Sequence, residues 1–418
     1  MTLAVPGVLD AQSAASGPRA DSAAVRYAAT DALADSAPAD VERSVPALAA
    51  YLSRAGGDDL TRARAIYRWV ARHITYDVEG FRSGRPRDPT PEAVLDRGSA
   101  VCEGYARLTQ ALGKAMGLEV EVVAGWSKGY GYTPGQRFDG PTNHAWNAVR
   151  IDGTWRLMDP TWGAGYLNES LQFVRRFQEH FFLAEPAEFV FDHLPEEPRW
   201  QLLDRPLSTA AYSDLVYLRP AFFELGFRIG DHDRLTIAAD SRLTVKIGVS
   251  QPVQMMAQLL EAATQRPVDG EFTFVQAGAG DAQIDARFPR AGSYLLRVFA
   301  KARGAAGVLD WILDYRVRAS AGAADAVFPF AYEAFGSRGV RLLAPLDGVL
   351  RAGRRYEFHV RAPGAREVAV VSGGRWTKLV GSGDEFAGGA TAERGAITVY
   401  ARYGTTAEYE GLLRYDGR

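Results

Sequence analysis

The sequence predicts an α+β core followed by two β-sandwich modules, and three observations carry that expectation. Apolar residues recur at helical spacing between Leu60 and Met116. A hairpin pattern follows, with Asn143–Ile151 and Thr154–Asp159 flanking Asp152-Gly153, a favoured two-residue turn. From about residue 212 the texture changes to short alternating runs separated by Gly, Pro and Asp, and a second block of the same kind starts near Phe328.

A chain of 418 residues is too long for one ordinary core. The expected division is a flexible Ala-rich tail over 1–45, the α+β core over 46–205, and sandwiches over 206–322 and 323–418. Thirteen alanines in the first forty residues leave little to bury, which is the reason for reading a tail with a fragment of helix at most. A net charge of −2 gives no pull toward nucleic acid or an anionic surface. No apolar run reaches the ~18–20 residues that span a bilayer, so no integral membrane segment is expected. A single cysteine excludes an intrachain disulfide framework and a multi-thiolate metal site. The first twenty residues lack a basic start and a long apolar run, so they read poorly as a secretory signal; cytoplasmic and secreted settings both fit.

Asp58 and Asp59 are placed to cap a helix over Leu60–His73, with Ala63, Ile66, Tyr67, Val70 and Ile74 on its inner face. Arg64, Arg68 and Arg72 recur every four residues on the other side and read as a solvated face. A short turn from Pro91 stops at Gly98. Ser99 then reads as the N-cap of the next helix. Cys102 falls in its first turn, and Tyr105, Leu108, Leu112 and Met116 pack inward until Gly117. A thiol there feels the positive end of the helix dipole and unpaired N–H groups, which favour thiolate. The Cys102 N–H is also placed to donate to an oxyanion.

Val120, Val122, Ala124 and Trp126 alternate as a strand. In the hairpin, Ile151 facing Thr154 sets a register in which His144 lies opposite Thr161 and Asp159 is its diagonal neighbour, ~7 Å away between backbones. A one-residue slip would put the two on opposite faces. Residues 166–205 read as helical and then irregular. Beyond them the expected strands are Leu235–Ile237, Leu243–Val249, Glu271–Val275, Ser293–Phe299 and Trp311–Val317. The second block adds Tyr356–Val360, Glu367–Val371, Trp376–Val380 and Ala396–Tyr403.

Cys102, His144 and Asp159, in that chain order, are a nucleophile, its base and the group that orients the base. With Ala65-Ile66-Tyr67-Arg68-Trp69-Val70, Val101-Cys102-Glu103-Gly104-Tyr105, Asn143-His144-Ala145-Trp146-Asn147 and Leu157-Met158-Asp159-Pro160-Thr161-Trp162, the chain resembles the transglutaminase-like superfamily of papain-like thiol enzymes. His193-Leu194-Pro195 and Trp200-Gln201-Leu202-Leu203 narrow the resemblance to the kyphoscoliosis-peptidase type. The resemblance implies a papain-like/transglutaminase-like core followed by Ig-like sandwiches. It also implies acyl transfer on amide bonds of a protein or peptide substrate through a Cys102 thioester, as a cysteine peptidase or amidase. Transamidation by the same three residues is the alternative reaction, and a non-catalytic protein-binding scaffold is the alternative class. The resemblance further implies a second oxyanion donor upstream of the cysteine, for which Trp69 and Tyr76 are the candidates. Trp126, Trp146 and Trp162 are expected to pack around the site or line its cleft. The other histidines are dispersed, and His193, beside prolines and aromatics, is the one expected in a buried polar network. No cofactor or metal is expected, since no ligand spacing for either appears.

Overall fold

A computed structural model describes residues 25–168, 170–278, 280–405 and 407–418. The chain divides into two compact units, Met1–Ser213 and Asp214–Arg418. Most of the predicted tail, residues 1–24, lies outside the described residues.

The rest of that tail is ordered, which corrects the expectation for residues 28–45. Helix Ala28–Asp35 lies against helix Asp59–His73. The latter starts as expected, with the Asp58 carboxylate accepting the Thr61 N–H at 2.8 Å, and it buries Ala63, Ile66, Tyr67 and Val70. Its arginines are not a solvated face. Arg64 is 1% exposed and donates to both carboxylate oxygens of Asp31 at 2.7 Å, and to Glu179. Its guanidinium also lies 4.5 Å from the Tyr27 ring centre and 5.0 Å from that of Phe182. Arg68 pairs with Asp35, and only Arg72 stays largely in water. The reason is spacing: Asp31 and Asp35, four apart on one helix, face Arg64 and Arg68, four apart on the other.

Gly98, with φ +64°, ends helix Pro91–Arg97 as predicted. The next helix, Cys102–Ala115, buries Tyr105, Leu108 and Leu112, but its N-cap is Val101 and no side chain caps it. Ser99 instead belongs to a two-residue strand, Ser99–Ala100, parallel to Thr75–Tyr76. The segment just before the cysteine is held extended by that pairing, so Ser99 is too far back to cap.

One antiparallel sheet runs in the order Thr154–Met158, His144–Ile151, Val120–Ser127, His193–Pro195. Its hairpin has the predicted turn, with φ of +48° at Asp152 and +79° at Gly153, and the predicted register, Ile151 opposite Thr154. In strand Val120–Ser127 the buried residues are Val120, Val123, Gly125 and Ser127, so the expected alternation holds at Val120 and shifts by one residue from Val123 on. Gly125 explains the choice. A Cβ there would stand 2.2 Å from the Leu194 carbonyl oxygen and 2.5 Å from the Trp146 ring, so only glycine lets the neighbouring strand and that indole close in. The helical reading of residues 166–205 is corrected to short pieces, chiefly a hairpin of Gly165–Leu167 with Phe173–Arg175 and a single turn at Pro186–Phe189.

In the second unit, two pairs of sheets form two sandwiches. The first pairs Phe227–Ile229, Arg242–Val249, Asp281–Arg287 and Thr273–Ala277 against Thr236–Ala239, Asp310–Ala319, Gly292–Ala302 and Val253–Glu261. The second has Glu410–Gly417, Gly395–Arg402, Glu367–Ser372 and Arg375–Lys378 in one sheet, and Arg341–Ala344, Arg355–Arg361, Glu385–Thr391 and Val380–Ser382 in the other. Among the described residues no helix is long and apolar enough to cross a membrane.

Candidate active site

The site is assembled by three backbone devices. Asn143 clamps the end of the neighbouring strand: its side chain accepts the Ser127 N–H at 2.7 Å and donates to the Ser127 carbonyl at 3.1 Å, which fixes where His144 emerges. Asn147, within strand His144–Ile151, donates to the Ala106 carbonyl of the cysteine helix at 2.9 Å. The Tyr105 hydroxyl ties that helix to the Ile74 carbonyl at 2.7 Å. Helix, histidine strand and the segment carrying Tyr76 are thereby locked to one another before any chemistry is considered.

The ladder between the two hairpin strands ends at Asn147 opposite Met158. Asp159 therefore leaves the strand and becomes the N-cap of helix Pro160–Ala164, so the expected pairing of His144 with Thr161 does not form. The side chains meet nonetheless. His144 Nε2 is 2.7 Å from Asp159 Oδ2, and both residues are buried. Asp159 Oδ1 accepts the N–H groups of Thr161 at 2.7 Å and Trp162 at 3.2 Å. With Nε2 occupied, Nδ1 is the ring nitrogen left to face Cys102, a free, half-buried thiol near enough for the two groups to shift each other's pKa.

Charge follows from these contacts. Burial alone would raise the Cys102 pKa, but the neighbouring His144 ring, with its positive charge, and the Ala145 N–H draw it below the usual thiol range. Burial alone would lower the His144 pKa, but Asp159, and then Cys102, push it up to about 10. Asp159 stays ionised far below the usual carboxylate range because His144 and His193 outweigh its burial. The three groups titrate as a coupled set, with thiolate and imidazolium as the favoured pair.

His193 continues the line, as expected of a buried polar network. It is fully buried, with Nε2 3.1 Å from Asp159 Oδ2 and Nδ1 2.6 Å from Asp192 Oδ1. Its ring stacks on Phe189 at 4.1 Å and lies 4.4 Å from Trp162 and 5.0 Å from Trp146. Asp192 and the Ala145 N–H were not anticipated. A backbone donor leaves no mark in a sequence, whereas Asp192, adjacent to His193, was at least visible.

Of the aromatic candidates, Trp146 and Trp162 wall the histidines, 5.8 and 5.5 Å from His144. Trp126, in strand Val120–Ser127, donates its indole N–H to the Gly140 carbonyl of the following loop at 3.0 Å. Trp69 is corrected as an oxyanion donor, because its N–H is held by Glu42 at 3.0 Å and its ring stacks on His73. Tyr76 is the candidate that remains. Burial, then the negative charge of Cys102 and Asp159, raise its pKa, so the phenol keeps its proton beside the thiol. Its hydroxyl has no hydrogen-bond partner among the described residues. His144, Asp159 and His193 offer nitrogen and oxygen atoms within 4.8 Å of one another, the spacing of a metal site. Those same atoms are joined directly by hydrogen bonds, which a cation between them would have to break.

Residues 46–160 match the family model of the transglutaminase-like superfamily, and residues 210–330 that of the KY-like, immunoglobulin-like domain. The chain is 30% identical over 280 residues to kyphoscoliosis peptidase of Mus musculus, which covers 66% of this chain and 41% of that protein. It is 31% identical over 262 residues to kyphoscoliosis peptidase of Homo sapiens, covering 62% and 38%. To hillarin of Drosophila melanogaster it is 27% identical over 277 residues, covering 58% and 33%. The chain thus spans less than half the length of the curated relatives it matches.

Proposed function

We propose that this chain, which joins a transglutaminase-like domain to a KY-like immunoglobulin-like domain, is a thiol-dependent acyl-transfer enzyme acting on protein amide bonds. The observation that carries this reading is the buried His144–Asp159 contact of 2.7 Å beside Cys102, whose pKa His144 draws down.

In the proposed reaction His144 Nδ1 holds the proton taken from Cys102 Sγ, and the thiolate adds to the amide carbonyl carbon. Negative charge collects on the carbonyl oxygen, where the Cys102 N–H and the Tyr76 hydroxyl are the donors. The C–N bond breaks as the imidazolium hands its proton to the departing nitrogen, leaving a thioester on Cys102. A water molecule, deprotonated by His144, then attacks that thioester, releasing the acid and restoring the thiol. Asp159 fixes the ring so that Nδ1 faces sulfur, and it stabilises the charged imidazole. Hydrolysis is preferred to transamidation because two of the relatives are named peptidases.

The test is incubation of the full chain and of Cys102→Ala with a protein mixture, with and without a primary-amine probe, read by mass spectrometry. New peptide termini made by the unaltered chain and reduced by about 10³-fold or more in the variant are the expected result. Probe added to glutamine side chains would replace hydrolysis by transamidation. Equal products from both proteins would remove Cys102 as nucleophile, and no products from either would favour a binding scaffold.

A further inference from the structure

Within Asp214–Arg418 the two sandwiches enclose a cavity of about 370 Å³, the size of a small ligand pocket. Its charged lining is Arg303 from the first sandwich, Arg341 and Arg361 from the second, and Asp281. Three guanidiniums against one carboxylate leave two positive charges uncompensated. Pro252 and Pro363 supply apolar wall beside them.

The arginines are held in place but not used up. Arg341 donates to Asp281 at 3.0 Å, yet its Nε is buried without a partner. Arg303 donates to the Val253 carbonyl at 3.2 Å, and its Nε is likewise buried and unpaired. Arg361 is exposed and makes no ion pair among the described residues. A buried guanidinium N–H left without an acceptor is costly, and a carboxylate is the acceptor whose plane matches the donor fork.

Two glycines make room for this arrangement. A Cβ at Gly278 would lie 2.8 Å from Arg341 Cζ, and one at Gly339 would lie 2.7 Å from Arg303 Nη1. Each guanidinium therefore reaches across the junction and rests on a bare backbone of the other sandwich. The junction itself is fixed by the Leu342 N–H on Gln276 Oε1 at 2.8 Å, and by Phe274 packed on Phe328 and Phe335 at 5.6 and 5.2 Å. A basic cleft with fixed walls needs little reorganisation to receive a ligand.

We propose that this cleft is a recognition site for an acidic peptide segment, whose neighbouring carboxylates take the free donors of Arg303 and Arg361 while its backbone lies against the prolines. Asp281 on Arg341 already displays the pairing the site offers. It also sets the charge of the ligand: two single carboxylates match the uncompensated charge, whereas a compact polyanion meets Asp281 at close range. The inference stands apart from the acyl-transfer reading and can be tested on a chain with Cys102 replaced.

The experiment is fluorescence polarisation of a labelled hexapeptide of alternating Asp and Glu, titrated with full-length Cys102→Ala protein. Pyrophosphate is the competitor, and the Asn/Gln version of the peptide is the control. Binding should weaken with added NaCl, disappear for the amide peptide, and fall by about tenfold in each of Arg303→Gln and Arg361→Gln. Both variants should keep their thermal midpoints to within a few degrees, since among the described residues neither makes an ion pair and Arg303 gives up one hydrogen bond, to the Val253 carbonyl. Three results would overturn the proposal: no binding of the acidic peptide, binding indifferent to both substitutions, or full displacement by equimolar pyrophosphate.

Discussion

His193 sits between two carboxylates, Asp159 at 3.1 Å and Asp192 at 2.6 Å. The contacts to Asp159 and Asp192 each need a hydrogen between nitrogen and oxygen. Asp159 is contacted by His193 as well as by His144 and the N–H groups of Thr161 and Trp162, and that set keeps it ionised despite complete burial. His193 is thus a positioning residue, acting through Asp159. With the Cys102 pKa drawn down and that of His144 raised to about 10, thiolate and imidazolium coexist between the two. Iodoacetamide should therefore alkylate Cys102 rapidly well below the ordinary thiol pKa of about 8.5. His193→Phe, which keeps the aromatic packing and removes the donor, should move the acidic limb of that profile to higher pH, and His193→Gln should restore part of it. An unmoved limb would mean that His193 only fills space.

Helix Asp59–His73 shows how one element can carry two surfaces that both end up inside. Its apolar stripe was readable because burial repeats at helical period. Its arginine stripe has the same period and the usual look of a solvated face. The difference lies in helix Ala28–Asp35, whose two aspartates and Tyr27 are too few to announce a packed element by themselves. Arg64→Met should lower the stability of the first unit by about 2–3 kcal/mol, measured by urea unfolding. Asp31 and Glu179 would lose their partner while keeping some solvent, at 15% and 20% exposure. A change below about 0.5 kcal/mol would mean the cluster is no more than a surface network.

Across the whole molecule, the hydrophobic core of the first unit closes within residues 27–202. A fragment of residues 25–213 is accordingly expected to unfold in one cooperative step and to keep the rapid alkylation of Cys102. Loss of either would show that the second unit completes the first. In the second unit, both sandwiches lay an early strand parallel to their last one: Thr236–Ala239 on Asp310–Ala319, and Val349–Leu350 on Glu410–Gly417. That shared feature is topological and invisible in residue-by-residue similarity. Strands Val253–Glu261 and Asp281–Arg287 escaped the sequence reading for another reason. Their Gln, Met, Ala, Leu and Arg are good helix formers, and sheet pairing overrides that preference, along one edge of Val253–Glu261 and both edges of Asp281–Arg287.

Local chemistry was enough to reveal the helix that presents Cys102, the Asp152-Gly153 turn with its register, and the sandwich texture of the second half. Each of these depends on residues close together in the chain. The approach of His193 to Asp159, the engagement of the Trp69 N–H by Glu42, the burial of Arg64 and the meeting of Arg303 with Arg341 were decided only in three dimensions. Their partners lie far apart in sequence, and the energy of a buried polar group depends on what the completed fold sets opposite it.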